Sequence, residues 1–264
     1  MIFHKIICQI AEVMSPRIFI LIYNIFWGLG SAEGVRFLNQ KPTVMELLDV
    51  SCTDTILDVG CGTGMYTVYL TSKLTIALDA DVMQIKFLQK HARKTFAIVA
   101  DAQNLPFKES CFEKVLCTEV LEHLSDDACA LREIYRVLKP SGIAVVSCPL
   151  IASDSTTGYT SREHSAFGHK RSGYEIQKIR FLSERCGFLV IQVRTCMFIM
   201  SQLSIHLARD SRKKIPSFVL SLFAFFDRLV PFYPSDVILK IQKVCPGYLK
   251  ASPLEDHRSK PSQV

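Results

Sequence analysis

Apolar and polar positions alternate in two rhythms through the middle of this chain. Short apolar runs at 55–59, 74–79, 96–100, 113–118 and 143–148 read as buried strands. Between them, helical spacing predicts helices over 64–72, 81–93 and 124–138, and Lys139-Pro140-Ser141-Gly142 reads as a turn. A further helix over 175–186, closed by Gly187, leads into a strand over 188–194. Strand–helix repetition of this kind predicts an α/β fold, a mostly parallel sheet with helices on both faces.

The flanks follow a different pattern. Ile6, Ile7 and Ile10 share a helical face, Ser15-Pro16 opens a second segment, and Val44 to Val50 reads as a third short helix. Residues 1–50 are therefore expected to form a helical cap, or a lid over an apolar substrate lined by Phe19, Tyr23, Phe26 and Trp27. The stretch Ile18–Leu29 is apolar but too short to span a bilayer, for which about 20 residues are needed. No cleavage site for a signal peptide follows the first residues. Residues 197–248 are expected to be an apolar helical addition. Within it, 215–233 is either a core helix or an interfacial one beside the basic run Arg209–Lys214. The tail 249–264 is polar and expected to be disordered.

Ligands of parallel sheets sit outside the carboxyl ends of the strands, so the residues that follow each run carry the chemistry. After the first run comes Asp58-Val59-Gly60-Cys61-Gly62-Thr63-Gly64, a glycine turn that lets a ligand lie against the main chain. Its G-x-G-x-G spacing differs from the G-x-G-x-x-G of a dinucleotide fold. The second run ends at Asp79-Ala80, where a carboxylate is placed to accept both hydroxyls of a ribose. The third ends at Asp101-Ala102, suited to an exocyclic amine of adenine, and the fourth at Thr118-Glu119 followed by Val120–Leu124. A single carboxylate at a strand end is usually just solvated. Acidic or polar residues at successive strand ends form a pattern.

These segments, ILDVGCGTG, ALDAD, VADAQNLPF, EVLEHL and REIYRVLKPSG, resemble the successive motifs of class I S-adenosylmethionine-dependent methyltransferases. The similarity is greatest to the branch with the ubiquinone and menaquinone methyltransferases, and it covers about residues 54–196. The resemblance implies a Rossmann-like seven-stranded sheet with the last strand antiparallel, and a catalytic domain over 51–196. It implies S-adenosyl-L-methionine across the ends of the first strands. Asp58, Gly60 and Gly62 would then lie along its methionine part, Asp79 would hold the ribose, and Asp101 and Ala102 the adenine. Thr118 would face the sulfonium side, and Cys61, Gly64, Ala80 and Glu119 complete the expected cofactor-binding set.

The absences fit this reading. No Walker lysine follows Gly64, and neither HExxH nor GxSxG occurs, so no metal site is expected. His123, His164 and His169 are the candidates for a base or substrate orienter, each with a purely structural role as the competing reading. Lys170 and Arg171 are candidates for an anionic group on the acceptor or a lipid headgroup.

Composition changes little. Apolar residues make up 49% and the net charge is +6, which suits an anionic surface or substrate without demanding nucleic acid. The ten cysteines include no CxxC pair, so reduced thiols in a cytoplasmic protein, with peripheral membrane contact, are the expectation. The chain is thus expected to methylate a small apolar or amphipathic acceptor that is quinone-, isoprenoid- or lipid-like. The alternatives are a non-catalytic cofactor-binding protein on the same fold, or a methyltransferase acting on protein or nucleic acid.

Overall fold

The computed structural model describes residues 32–92, 95–151, 169–196, 226 and 234–244, with side chains from Arg36 onward. The N-terminal segment through Leu29, the loop 152–165 with His164, most of 197–233 and the tail 249–264 lie outside the described residues.

The elements run α1 (Ala32–Leu48), β1 (Thr55–Val59), β2 (Leu74–Asp79), α2 (Val82–His91), β3 (Phe96–Val99) and β4 (Phe112–Thr118). They continue with α3 (Asp127–Val137), β5 (Leu138–Pro149), α4 (Ile176–Arg185), β6 (Phe188–Cys196) and β7 (Asp236–Lys243). Single 3-10 turns occur at Thr67–Tyr69 and Leu121–His123. All seven strands form one sheet in the order β3-β2-β1-β4-β5-β7-β6. β1 to β5 pair in parallel, and β7 is antiparallel to both of its neighbours. The strand order reverses between β1 and β4, which is where a ligand crevice opens in such sheets.

Period-two alternation divides the core between the two faces of the sheet. Leu57, Val115, Ala144 and Leu239 pack with Leu131 and Ile134 of α3 and Ile179 of α4. Ile56, Leu116, Val145 and Ile238 face the other way, onto Phe37, Val44, Leu47 and Leu48 of α1. Ala77 and Ala97 pack on Ile85 and Leu88 of α2.

Four expectations need correction. The helix expected at 44–50 starts at Ala32 and runs through Pro42, although a proline disfavours helical backbone in the residue before it. Its buried face, Phe37, Gln40, Val44 and Leu47, outweighs that local preference. The helix expected over 64–72 is one 3-10 turn, because Gly62 (φ 53°) and Gly64 (φ 84°) hold left-handed backbone and Leu70 is extended. Lys139–Gly142 does not separate a helix from a strand. Its residues are an irregularity inside β5, where Leu138 pairs with Phe112 but Ile143 with Lys114. Finally, the helical addition expected over 197–248 contains β7, whose DVILKIQK is buried at the centre of the antiparallel half of the sheet. A boundary at residue 196 would cut the sheet, since β5 and β6 meet only through β7.

Candidate active site

The site begins with the turn after β1. Cys61 N donates to Leu78 O at 2.9 Å and Gly64 N to Cys61 O at 2.8 Å, so the turn closes on itself and on β2. Gly60 (φ 68°) presses against Val120, which a Cβ would meet at 2.3 Å, and at Gly64 a Cβ would meet Leu88 at 2.4 Å. Above Gly62 there is open space, with nothing within 4 Å of an added Cβ. Two glycines thus serve packing, and the third leaves a cradle beside bare main chain.

The acidic residues divide by role. Asp79, at the end of β2, accepts from Gly62 N at 2.9 Å and from Asp81 N at 2.8 Å, one bond to each oxygen. Each oxygen retains a lone pair for a hydroxyl donor. Asp101 accepts from Gln103 N at 2.8 Å, and buried Ala102 follows it. Gln103 in turn accepts from Asp126 N at 2.9 Å, tying this loop to the start of α3. Ala80 is exposed beside Asp79, and Thr118 ends β4 half-buried. Asp58 is buried and accepts from Thr67 Oγ1 at 2.6 Å. Burial pushes its carboxyl up to about 7, with the Thr67 bond opposing and Asp79 adding to the rise. Its carboxylate braces the turn rather than lining the open cradle. Burial likewise raises the Cys61 thiol, so it stays protonated.

Glu119 departs from its expected role. It holds positive φ (55°), and its carboxylate turns beneath the site. Gln40 Nε2 donates to Glu119 Oε1 at 2.9 Å, as does Ser147 Oγ at 2.9 Å, and Arg36 lies 2.8 Å from Oε2. Arg36 and Gln40 also reach Asp236 Oδ2, each at 3.0 Å. This buried network joins α1, β4, β5 and β7. Arg36, Gln40, Ser147 and Asp236 escape a motif-based reading because they are scattered over 200 positions, and only the β5–β7 pairing brings them together. Tyr66 OH, buried near them, has no hydrogen-bond partner among the described residues.

Of the three candidate histidines, His123 and His169 come together, their rings edge to face at 4.5 Å, while His164 lies outside the described residues. Glu122 stands between them and the core. It is wholly buried, and among the described residues neither carboxylate oxygen has a hydrogen-bond partner. Burial first, then the Glu119 charge, pushes its pKa well up. One donor atom from each of Glu122, His123 and His169 falls within 4.8 Å of the others. Arg171 does not reach for an anion. Its guanidinium donates to Leu121 O at 2.7 Å and Leu124 O at 3.0 Å and pairs with Asp127 at 2.8 Å. Lys170 N donates to Glu122 O at 2.8 Å, so this segment is clamped onto the turn after β4.

Residues 57–146 match the family model described as a methyltransferase domain. Phosphoethanolamine N-methyltransferase of Triticum aestivum is 26% identical over 68% of this chain and 37% of its own length. Malonyl-[acyl-carrier protein] O-methyltransferase of Herminiimonas arsenicoxydans is 33% identical over 47% and 45% respectively. Demethylmenaquinone methyltransferase of Lactiplantibacillus plantarum is 38% identical over 32% and 40%. The chain spans less than half the length of these curated relatives. Among solved structures, geranyl diphosphate C-methyltransferase from Streptomyces coelicolor A3(2) superposes with a TM-score of 0.59 at 16% identity, covering 78% of each chain. The [4+2]-cyclase SpnF superposes with 0.56 at 18% identity, over 80% of this chain and 82% of that one. These two are likenesses of fold. Residues 57–146 thus carry a methyltransferase domain, on the seven-stranded fold that these solved structures share.

Proposed function

We propose that this protein transfers a methyl group from S-adenosyl-L-methionine to a small amphipathic acceptor. The observation that carries the reading is the open cradle over Gly62 with Asp79 bonded to its amide, next to the Asp101-Ala102 loop. Gly62 and neighbouring main chain would lie along the methionine, Asp79 and Ala80 at the ribose, and Asp101 and Ala102 at the adenine. The fit is consistent with the lone pairs left on Asp79 and the space above Gly62. The geranyl diphosphate C-methyltransferase of the same fold was solved with S-adenosyl-L-homocysteine. The cofactor supplies a methyl group already activated on a sulfonium. What the chain adds is positioning, which alone can lower a barrier by about 7–11 kcal/mol.

The acceptor side is polar where it meets β4. His123, His169 and Glu122 offer a polar reaction centre, with the two histidines in reach of a proton on the acceptor. The apolar stretches Ile18–Leu29 and 215–233 suit a lipid-, isoprenoid- or quinone-like body. Relatives named for demethylmenaquinone, phosphoethanolamine and malonyl-acyl-carrier protein show how widely acceptors vary on this domain. Peripheral membrane contact through the basic run Arg209–Lys214 belongs to the same reading. Among the described residues, no helix is long and apolar enough to cross a membrane.

The test is to incubate the full chain with S-adenosylmethionine labelled on the methyl carbon and a fractionated extract. Label entering the organic phase is the expected result. Label confined to protein or nucleic acid overturns the acceptor class. Co-sedimentation with anionic liposomes that weakens as salt rises is expected for the membrane contact, and a wholly soluble protein at low salt removes it.

A further inference from the structure

We propose that Glu122, His123 and His169 form a binding site for one divalent transition-metal cation beside the reaction centre. Three observations support it. The first is the convergence of three donor atoms within 4.8 Å, from two segments 46 positions apart (169 − 123 = 46). Ligands on a tetrahedral ion at about 2.0–2.2 Å stand about 3.4 Å from one another, so small side-chain rotations close the site.

The second is the state of Glu122. A carboxylate removed from water is costly unless paired, and here both oxygens lack a hydrogen-bond partner among the described residues. A proton would neutralise the group but leave its oxygens unsatisfied. A cation answers both deficits.

The third is the rigidity of the frame. Lys170 N and Arg171 N both approach Glu122 O, at 2.8 and 3.4 Å. The Arg171 guanidinium binds Leu121 O and Leu124 O, and Asp127 and the Tyr174 hydroxyl hold it in place. The two segments that supply ligands are thus fastened to each other by main-chain and buried polar bonds. A frame of this kind keeps donors preorganised without the ion.

Two imidazoles and one carboxylate select Zn²⁺, Mn²⁺, Fe²⁺ or Co²⁺ over Mg²⁺ and Ca²⁺, which favour all-oxygen sites. Three protein ligands leave coordination positions open, as in catalytic rather than structural metal centres. Resting on the methyltransferase reading, an ion held here would offer its open positions to an acceptor that approaches the end of β4. The acceptor atom there is then an oxygen-bearing group able to coordinate the ion.

The experiment uses the full chain, stripped with chelator and dialysed, then titrated with Zn²⁺, Mn²⁺ and Mg²⁺ by calorimetry. S-adenosylhomocysteine binding is measured on the same metal-free sample. The expected result is one equivalent of Zn²⁺ or Mn²⁺ bound, with Mg²⁺ at least tenfold weaker. Affinity should fall at least tenfold in Glu122→Gln and in His169→Gln, each checked by circular dichroism for a native fold. Absence of stoichiometric binding, or equal binding in both folded variants, overturns the site. Because the homocysteine titration is separate, a protein that binds cofactor product but no metal disproves only this inference. One that binds metal but no cofactor product disproves the methyltransferase reading and leaves the metal site standing.

Discussion

Asp79 Oδ2 accepts the amide proton of Gly62 at 2.9 Å, joining the end of β2 to the crest of the glycine turn after β1. The carboxylate proposed to hold the ribose therefore also shapes the cradle for the methionine part. Asp79→Ala removes both, and S-adenosylhomocysteine affinity should fall at least tenfold, about 1.4 kcal/mol or more. Loss of the two backbone bonds should cost about 1 kcal/mol of stability as well. Calorimetric titration and urea unfolding of the same variant measure the two effects. Unchanged binding would remove the ribose assignment.

The glycines of the turn should separate in a substitution series. Gly62→Ala meets only its positive φ, which costs roughly 1–2 kcal/mol, and its methyl group projects into the open cradle. It should fold and bind S-adenosylhomocysteine at least tenfold more weakly. Gly60→Ala adds to the same backbone strain a contact at 2.3 Å with Val120, so roughly 2–5 kcal/mol is expected from strain and overpacking together. A melting curve for each, with a binding titration for the first, distinguishes a ligand-facing glycine from a packing one.

Much of this was legible in local pattern. β1 and β2 fall where the apolar runs end at Val59 and Asp79, because buried parallel strands carry continuous hydrophobic stretches. Asp79, Asp101 and Thr118 were readable as candidates because they end or follow the runs that form β2, β3 and β4, and topology puts strand ends at the crevice. β7 was not. Asp236–Lys243 closes a stretch that reads as a helical addition, and pairing with β5 and β6 makes it a strand. The network of Arg36, Gln40, Glu119, Ser147 and Asp236 was hidden for the same reason, since its members share no spacing. Glu122 looked like the middle of a motif, and its isolation in the core appears only in three dimensions.

Stability should depend on pH through Asp58. Its folded-state carboxyl titrates at about 7, against an ordinary value of 3.8, chiefly because burial disfavours the charge. A raised acid contributes stability that is full below the ordinary value and is lost as pH rises through the folded one. Asp58→Asn cannot ionise, so the wild type should lose stability relative to this variant between about pH 4 and pH 7. Above pH 7 the difference should level off. Thermal melts of both proteins across that range check the sign, and a constant difference would show that Asp58 titrates normally.

Arg36 serves two acids at once, Asp236 at 3.0 Å and Glu119 at 2.8 Å, and Asp236 is wholly buried. Breaking such a pair from one side leaves an uncompensated charge, which costs about 3–5 kcal/mol, more than the intact pair contributes. Arg36→Met should therefore destabilise by roughly 3 kcal/mol at pH 8. Burial already pushes the Asp236 carboxyl up to about 7, with Arg36 as the main opposing influence. Without Arg36 that carboxyl takes up its proton at still higher pH. The deficit of the variant should then shrink as pH falls from 8 to 5, where the acid is neutral in both proteins. Arg36→Met with Asp236→Asn should recover at least 1 kcal/mol of the loss, since no buried charge remains at that position. Urea unfolding of the four proteins of this cycle at pH 8 and pH 5 measures it, and a deficit independent of pH would assign the loss to packing of α1 rather than to charge.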